Sequence, residues 1–303
     1  MTEAAETPTR AGFVAIVGPT NAGKSTLTNR LVGAKVSIVT QKVQTTRTRV
    51  TGIAMRGRSQ IVFVDTPGVF SPRRRLDRAM VAAAWAGAAD ADLVVVLVDA
   101  ERGIDEAVEA VLEGLKGAGP KCLLALNKID LVKRDSLLGL AKTLNDKLDF
   151  DATFMISAER GDGCDDLMAA IEARIPEGPW LFPEDQLSDL PERMLAAEIT
   201  REKIFLRLHQ ELPYSIHVET ELWKDQKDGS VRIEQTIYVE RDGQKAIVLG
   251  KGGQTAKLIG SMAREEMEEM FGRRVHLFLF VKVRANWADD RERYRAMGLD
   301  WQD

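Results

Sequence analysis

The chain has 303 residues, 45% hydrophobic and 29% charged, with a net charge of −4 and a pI of about 5.7. Length and composition fit about two globular domains with sizeable cores. The acidic balance excludes a global basic field, so any RNA contact must come from a local patch. Two cysteines are too few for a disulfide scaffold and fit a reducing cytosol. No apolar run reaches the roughly 18 residues of a membrane-spanning helix.

Met1 to Arg10 is polar and without an apolar segment, so residues 1–10 read as a disordered lead-in and not as a signal peptide. Phe13–Val17 is an apolar run of the kind that forms a buried strand. Gly18-Pro19-Thr20-Asn21-Ala22-Gly23-Lys24-Ser25 follows at once, with Thr26 behind it and a helical stretch over Lys24–Val32. A G-x-x-x-x-G-K-S loop between strand and helix wraps phosphate with backbone N–H groups at a helix N-terminus. Lys24 then reaches the outer phosphates and Ser25 a Mg²⁺ ion.

Further strands are expected at Val50–Met55, Gln60–Val64, Leu93–Val98, Lys121–Leu126 and Ala152–Ile156. Helical stretches are expected at Leu76–Ala89, Ile104–Lys116, Asp135–Leu148 and Asp165–Arg174. This alternation predicts a mostly parallel, doubly wound sheet whose ligand sits at the carboxyl ends of the strands. Three polar motifs fall at those ends. Asp65-Thr66-Pro67-Gly68 can hold Mg²⁺ through water with Asp65 and the γ-phosphate with the Gly68 N–H. In Asn127-Lys128-Ile129-Asp130, Asp130 can accept two hydrogen bonds from guanine. Adenine lacks that donor pair and would leave a desolvated carboxylate unpaired. Asn127 can bond both base and phosphate loop, and the Lys128 stem can cover the ring. In Ser157-Ala158-Glu159, the Ala158 N–H can donate to guanine O6. Each motif alone is an ordinary turn or helix cap. Their order, with 41 residues from Lys24 to Asp65, 62 more to Asn127 and 30 more to Ser157, is what carries the reading. The polar stretch 41–49 suits a loop that orders when a Thr hydroxyl meets Mg²⁺.

On these residues the first half resembles the translation-factor-like GTPases of the P-loop class. The resemblance implies Mg²⁺ ligation by Thr46 beside Ser25, and catalysis carried by Lys24, Thr46, Gly68 and Asn21. Val69 stands where related enzymes place a water-orienting Gln. The sequence is similar to the group with a hydrophobic residue there, in which an Asn at the place of Asn21 helps bind K⁺. Slow intrinsic turnover follows, about 10⁻² s⁻¹ or below. Arg73-Arg74-Arg75 reads as a solvated charge run, with RNA or membrane contact the sharper alternative.

Pro176, Pro179 and Pro183 mark a semi-rigid connector, and Trp180 and Phe182 could pin it to one domain. Beyond it the pattern is a helix over Leu190–Gln210, strands Ser215–Trp223 and Val231–Val239, a short segment Ala246–Leu249, a helix Thr255–Phe271 and a strand Val275–Val283. Between the last two helices lies Gly250-Lys251-Gly252-Gly253. A G-x-x-G loop lets backbone approach nucleic acid and clamps about four single-stranded nucleotides. Lys245 and Lys257 flank Lys251, and residues 241–284 hold nine Lys/Arg against five Asp/Glu. Phe278, Phe280 and Trp287 could stack bases, with core packing the stronger reading. A charged helical tail over Ala288–Met297 is expected to pack on this second sheet or to end solvated.

This half resembles a KH RNA-binding domain of the bacterial type II order. The expected fold class is therefore α/β: a P-loop GTPase domain over 11–176, a linker over 177–189, and a smaller α+β KH domain with a helical tail over 190–303. The pairing is similar to that of the bacterial ribosome-assembly GTPases. That resemblance implies GTP/GDP, Mg²⁺ and K⁺ as ligands. It implies 16S rRNA near its 3′ end and the 30S ribosomal subunit as partners, with roles in rRNA processing and subunit assembly. It also implies a cytoplasmic monomer with peripheral contact to the inner membrane. A GTPase acting on another RNA or on a membrane partner stays open as an alternative, as does a P-loop kinase.

Overall fold

The computed structural model describes residues 8–40, 50–70, 72, 74–116, 121–208, 212–285, 287, 290–297 and 299–301. The expectations placed on 1–7, on 41–49 with Thr45 and Thr46, on Arg73 and on Ala288 and Asp289 lie outside them. The chain divides into two compact units, Met1–Ser37 with Thr46–Asp189 and Tyr294–Asp303, and Ile38–Thr45 with Leu190–Arg293.

In the first unit, strands β1 (Arg10–Val17), β2 (Val50–Arg56), β3 (Ser59–Asp65), β4 (Leu93–Asp99), β5 (Cys122–Asn127) and β6 (Ala152–Met155) form one sheet. Its order is β2-β3-β1-β4-β5-β6. All neighbours are parallel except β2 and β3. Helices α1 (Lys24–Val32), α2 (Arg75–Ala89), α3 (Glu106–Leu115), α4 (Arg134–Lys147) and α5 (Cys164–Glu172) complete it. Every residue of β4 and β5 is buried, because both faces of the sheet are covered and continuous apolar runs satisfy both at once. One face packs Ile16, Val95, Leu97 and Leu123 against Leu27, Leu167 and Ile171. The other packs Val94, Val96, Leu124 and Leu126 against Val108, Val111 and Leu144. Alternate residues of each strand point to opposite faces, so one run supplies two cores.

The proline-marked connector lies along the edge strand of this unit. Gln60, fully buried, accepts from the Leu181 and Phe182 N–H groups at 2.7 and 2.9 Å and donates to the Phe182 carbonyl at 2.8 Å. Trp180 Nε1 donates to the Arg58 carbonyl at 3.0 Å. The Ile53 N–H donates to the Leu187 carbonyl at 2.8 Å, which covers the otherwise unpaired edge of β2. The chain end differs from expectation. Tyr294–Asp303 groups with this unit and not with the second sheet; helix α9 (Arg291–Ala296) leads into it. The Arg75 guanidinium stands 4.6 Å from the Trp301 ring centroid, so this member of the arginine run is not simply solvated. Arg74 is exposed and caps α2, its N–H donating to Asp77 at 2.9 Å.

The second unit follows the order α6 (Glu192–Arg207), β7 (His217–Asp225), β8 (Val231–Val239), α7 (Asp242–Leu249), α8 (Gln254–Phe271), β9 (Val275–Val283). Its sheet is β7-β8-β9, with β7 antiparallel and β9 parallel to β8. The helices cover one face, where Ile199, Ile204, Ile233, Ile237, Ile259 and Val281 are buried. Trp287 is buried, stacks on His217 at 5.3 Å and donates to the Ser215 carbonyl at 2.9 Å. Phe278 and Phe280 depart from the expected core packing, at 43% and 46% exposed. Both fall on the alternate register of β9 that faces away from the helices. The Arg232 guanidinium stands 4.7 Å from the Phe278 ring centroid.

Among the described residues no helix is long and apolar enough to cross a membrane.

Candidate functional site

The phosphate loop spans the gap between β1 and α1, and its glycines are required by contact as well as conformation. A Cβ at Gly18 would lie 2.3 Å from the Leu97 carbonyl oxygen. Gly23 sits at φ +98° and Asn21 at φ +65°, left-handed conformations that turn the loop inward. Pro19 bridges to Val69, whose N–H donates to the Gly18 carbonyl at 3.1 Å. Ala22 is buried, and Thr20 presses against Gly68, where a Cβ would meet Thr20 N at 2.9 Å. The Asp65–Gly68 turn thus closes directly on the loop.

Lys24 is 7% exposed. Its Nζ donates to the Gly18 and Pro19 carbonyls at 3.1 and 2.7 Å, lying across the cradle that phosphate oxygens would fill. Burial pushes its pKa down to about 8, against the opposing pull of the Asp65 carboxylate. Ser25 Oγ donates to Asp65 Oδ2 at 2.8 Å. A hydroxyl in the first turn of α1 and a carboxylate at the end of β3 are the oxygen ligands that Mg²⁺ takes, directly and through water, alongside substrate phosphates. The residues present fit that ion. The Ser37 hydroxyl, absent from the sequence reading, also donates to Asp65 Oδ2, at 2.6 Å. Thr26 lies in the first turn of α1 beside Ser25.

At the other end, Asn127 ties three loops together. Its Nδ2 donates to the Ala22 carbonyl at 2.8 Å, and its Oδ1 accepts from the Ala158 N–H at 2.9 Å. The Ala158 N–H is therefore engaged by Asn127, and its expected bond to guanine O6 requires that amide to change partner. Lys128 adopts φ +64°, and its Nζ pairs with the buried Asp99 carboxylate. Asp130 follows in a short 3₁₀ turn over Ile129–Leu131, with Arg160 Nε 3.5 Å from its Oδ2. Ser157 is fully buried and its Oγ accepts from the Arg160 N–H at 3.2 Å. Sequence reasoning also missed Asp99 and Arg160. They lie 29 and 30 residues from their partners and belong to no motif. Val69 is buried against Ala15, Val17 and Ala84, as its apolar character demands.

In the second unit, Gly250, Gly252 and Gly253 all take positive φ, at 70°, 60° and 78°. A Cβ at Gly250 would meet Thr255 Oγ1 at 2.1 Å, whereas Gly252 and Gly253 have nothing within 4 Å. Those two present bare backbone to open space. Lys251 and Lys257 are exposed and Lys245 is half-buried. Ile247 and Leu258, on the two helices the loop joins, are 57% and 43% exposed and add apolar surface that the motif alone did not reveal. Among the described residues there is no cluster of three or more His, Cys, Asp or Glu able to hold a metal.

Such an arrangement defines a class: a guanine-type P-loop GTPase domain joined to a KH domain. Family models match in the same places, "50S ribosome-binding GTPase" over residues 13–128 and "KH domain" over 211–288. The chain is 65% identical to GTPase Era of Agrobacterium fabrum over 294 residues, 97% of this chain and 93% of that protein. It is 64% identical to GTPase Era of Rhizobium meliloti over 99% of this chain and 96% of that one. It therefore belongs to the Era family of GTPases. Two solved structures are similar at TM-score 0.91 and 38% identity. One is Era with MgGDPNP and nucleotides 1506–1542 of 16S ribosomal RNA, matched over 96% of this chain and 99% of that one. The other is an Aquifex aeolicus Era variant bound to GDP and aluminium fluoride, matched over 95% and 99%.

Proposed function

We propose that this chain is a GTP-hydrolysing switch that binds 16S rRNA near its 3′ end and acts in rRNA processing and assembly of the 30S subunit. The single observation that carries it is the conjunction, in one chain, of the Lys24, Asp65, Asn127 and Ser157 motifs at the strand ends of one sheet with an open, basic glycine loop of KH type. The similar Era structure that holds both MgGDPNP and 16S RNA supports the same reading.

Lys24 leaves the Gly18 and Pro19 carbonyls for the outer phosphates, keeping positive charge in a dry cradle where it is worth most. Backbone N–H groups of Asn21 to Ser25 bind the phosphates, and Thr26 follows in the same turn. Bound Mg²⁺ offsets negative charge on the phosphate oxygens during transfer. Ser25 and, through water, Asp65 would hold it, with Thr46 closing from the 41–49 segment. The Gly68 N–H addresses the γ-phosphate. Asp130, Asn127, Lys128, Ser157 and Ala158 select guanine. Val69 offers no hydrogen bond, so the attacking water is oriented by backbone, by K⁺ held near Asn21 or by a partner, and intrinsic turnover is slow. Lys245, Lys251 and Lys257 meet RNA phosphates, and Gly250, Gly252 and Gly253 allow the backbone to close on them. Nucleotide state sets RNA affinity.

Crosslinking and sequencing of bound RNA, with GDP and with a non-hydrolysable GTP analogue, tests this. Enrichment of the 16S 3′ region that differs between the two states is expected. Enrichment of tRNA or of no RNA would favour a GTPase with another partner, and equal recovery in both states would break the coupling. A cytoplasmic monomer and peripheral inner-membrane contact rest on family likeness alone. Sedimentation, and flotation with anionic vesicles, test them.

A further inference from the structure

Helix α1 ends at Gly33, and the next four residues return the chain to the metal end of Asp65. Asn29 fixes that return. Its Oδ1 accepts from the Val36 and Ser37 N–H groups, each at 2.9 Å, and its Nδ2 donates to the Ser37 carbonyl at 2.7 Å. Ser37 is 3% exposed. Its hydroxyl donates to Asp65 Oδ2 at 2.6 Å, the same oxygen that Ser25 Oγ reaches at 2.8 Å. One carboxylate oxygen thus carries two serine hydroxyls. One belongs to the phosphate-loop motif. The other belongs to none of the four nucleotide motifs.

We propose that Ser37 is a positioning residue for the Mg²⁺ site, acting through Asp65 and held in place by Asn29. Two donors on one oxygen fix the rotation of the carboxylate. When Ser25 turns its oxygen toward the ion, Ser37 still satisfies the buried Asp65 and keeps it aimed at metal-bound water. Groups that orient a metal's ligands change metal affinity about 10- to 100-fold when removed. Three hydrogen bonds from a helical side chain make this anchor independent of how the 41–49 segment is arranged. The inference rests on the GTPase reading above.

The test is release of a fluorescent GDP analogue as a function of Mg²⁺ concentration, beside thermal unfolding in EDTA. For Ser37→Ala the Mg²⁺ concentration that half-maximally slows release should rise about tenfold. Affinity for GDP in EDTA should stay as in the unmodified protein. Ser37→Thr, which keeps the hydroxyl, should restore the Mg²⁺ response. Asn29→Ala should shift it in the same direction as Ser37→Ala, and serves as the second variant should Ser37→Ala unfold. An unchanged Mg²⁺ dependence in both Ala variants overturns the proposal. So does GDP binding weakened equally with and without Mg²⁺, the mark of a merely structural serine. If the unmodified protein shows no Mg²⁺-dependent retention of GDP, the GTPase reading itself fails, and that outcome is distinct.

Discussion

Gly23 and Asn127 stand so close that a Cβ on the glycine would lie 2.3 Å from the asparagine side-chain nitrogen. Residues 104 positions apart therefore share one space, and the phosphate loop and the Asn127–Asp130 loop are built as a single piece. Gly23 also sits at φ +98°, where an L side chain is strained by about 1–2 kcal/mol. Gly23→Ala should displace Asn127 and with it the bond to Ala22. GDP affinity measured by calorimetry should drop at least tenfold, with loss of guanine preference. Retained affinity would mean that the two loops adjust independently.

In the proposed function Asp130 reads a pair of donors on the base. Replacing it by Asn leaves one acceptor and adds one donor, which suits xanthine, whose ring presents N–H beside C=O. Each charged hydrogen bond is worth about 1.5–3 kcal/mol, so Asp130→Asn should weaken GTP binding by about two orders of magnitude. Xanthosine triphosphate should bind the variant better than GTP in competition assays. An unchanged order of preference would remove Asp130 from base selection.

Burial holds Lys24 at about 8 in the nucleotide-free protein, while phosphates raise it again by direct charge. Binding must then take up a proton wherever free Lys24 is neutral. GDP affinity should fall as pH rises from about 8 toward the ordinary lysine range. Calorimetry at pH 8.5 in two buffers of different ionisation enthalpy should reveal that uptake. For folding the sign is the reverse. Between about 8 and the ordinary lysine value the unfolded chain binds more protons than the folded one. This group's contribution therefore makes the nucleotide-free protein more stable as pH rises through that window. Absence of proton uptake would count against a buried, partly neutral Lys24.

Lys251 is exposed directly before Gly252 and Gly253, whose Cβ positions are open. If it meets a phosphate, Lys251→Ala should weaken RNA binding without altering base preference. The slope of log affinity against log salt should fall by about 0.7 for a single strand. A slope identical to that of the unmodified protein would place the RNA backbone elsewhere.

Val69 is buried and apolar, so hydrolysis lacks a side chain to orient water at that place. Turnover should be faster in K⁺ than in Na⁺ at equal ionic strength, and Asn21→Ala should abolish the difference. Equal rates in both salts for the unmodified protein would exclude the ion.

Most elements of both domains were legible in the sequence because each rests on neighbours in the chain. Continuous apolar runs become β1, β4 and β5 wherever a sheet is covered on both faces. The phosphate loop, the Asp-x-x-Gly turn and the G-x-x-G loop are short backbone shapes that their own glycines permit. Which residues meet across the fold was not legible. Ser37 reaches Asp65, Asp99 reaches Lys128, Gln60 grips the chain at Phe182, and Arg75 lies over Trp301. Phe278 and Phe280 alternate like any strand residues, and they are exposed because, among the described residues, the helices cover the other face. Local propensity and motif spacing depend on adjacent residues alone. Pairing partners and the covered face of a sheet depend on how distant segments pack, and tertiary structure alone decides those.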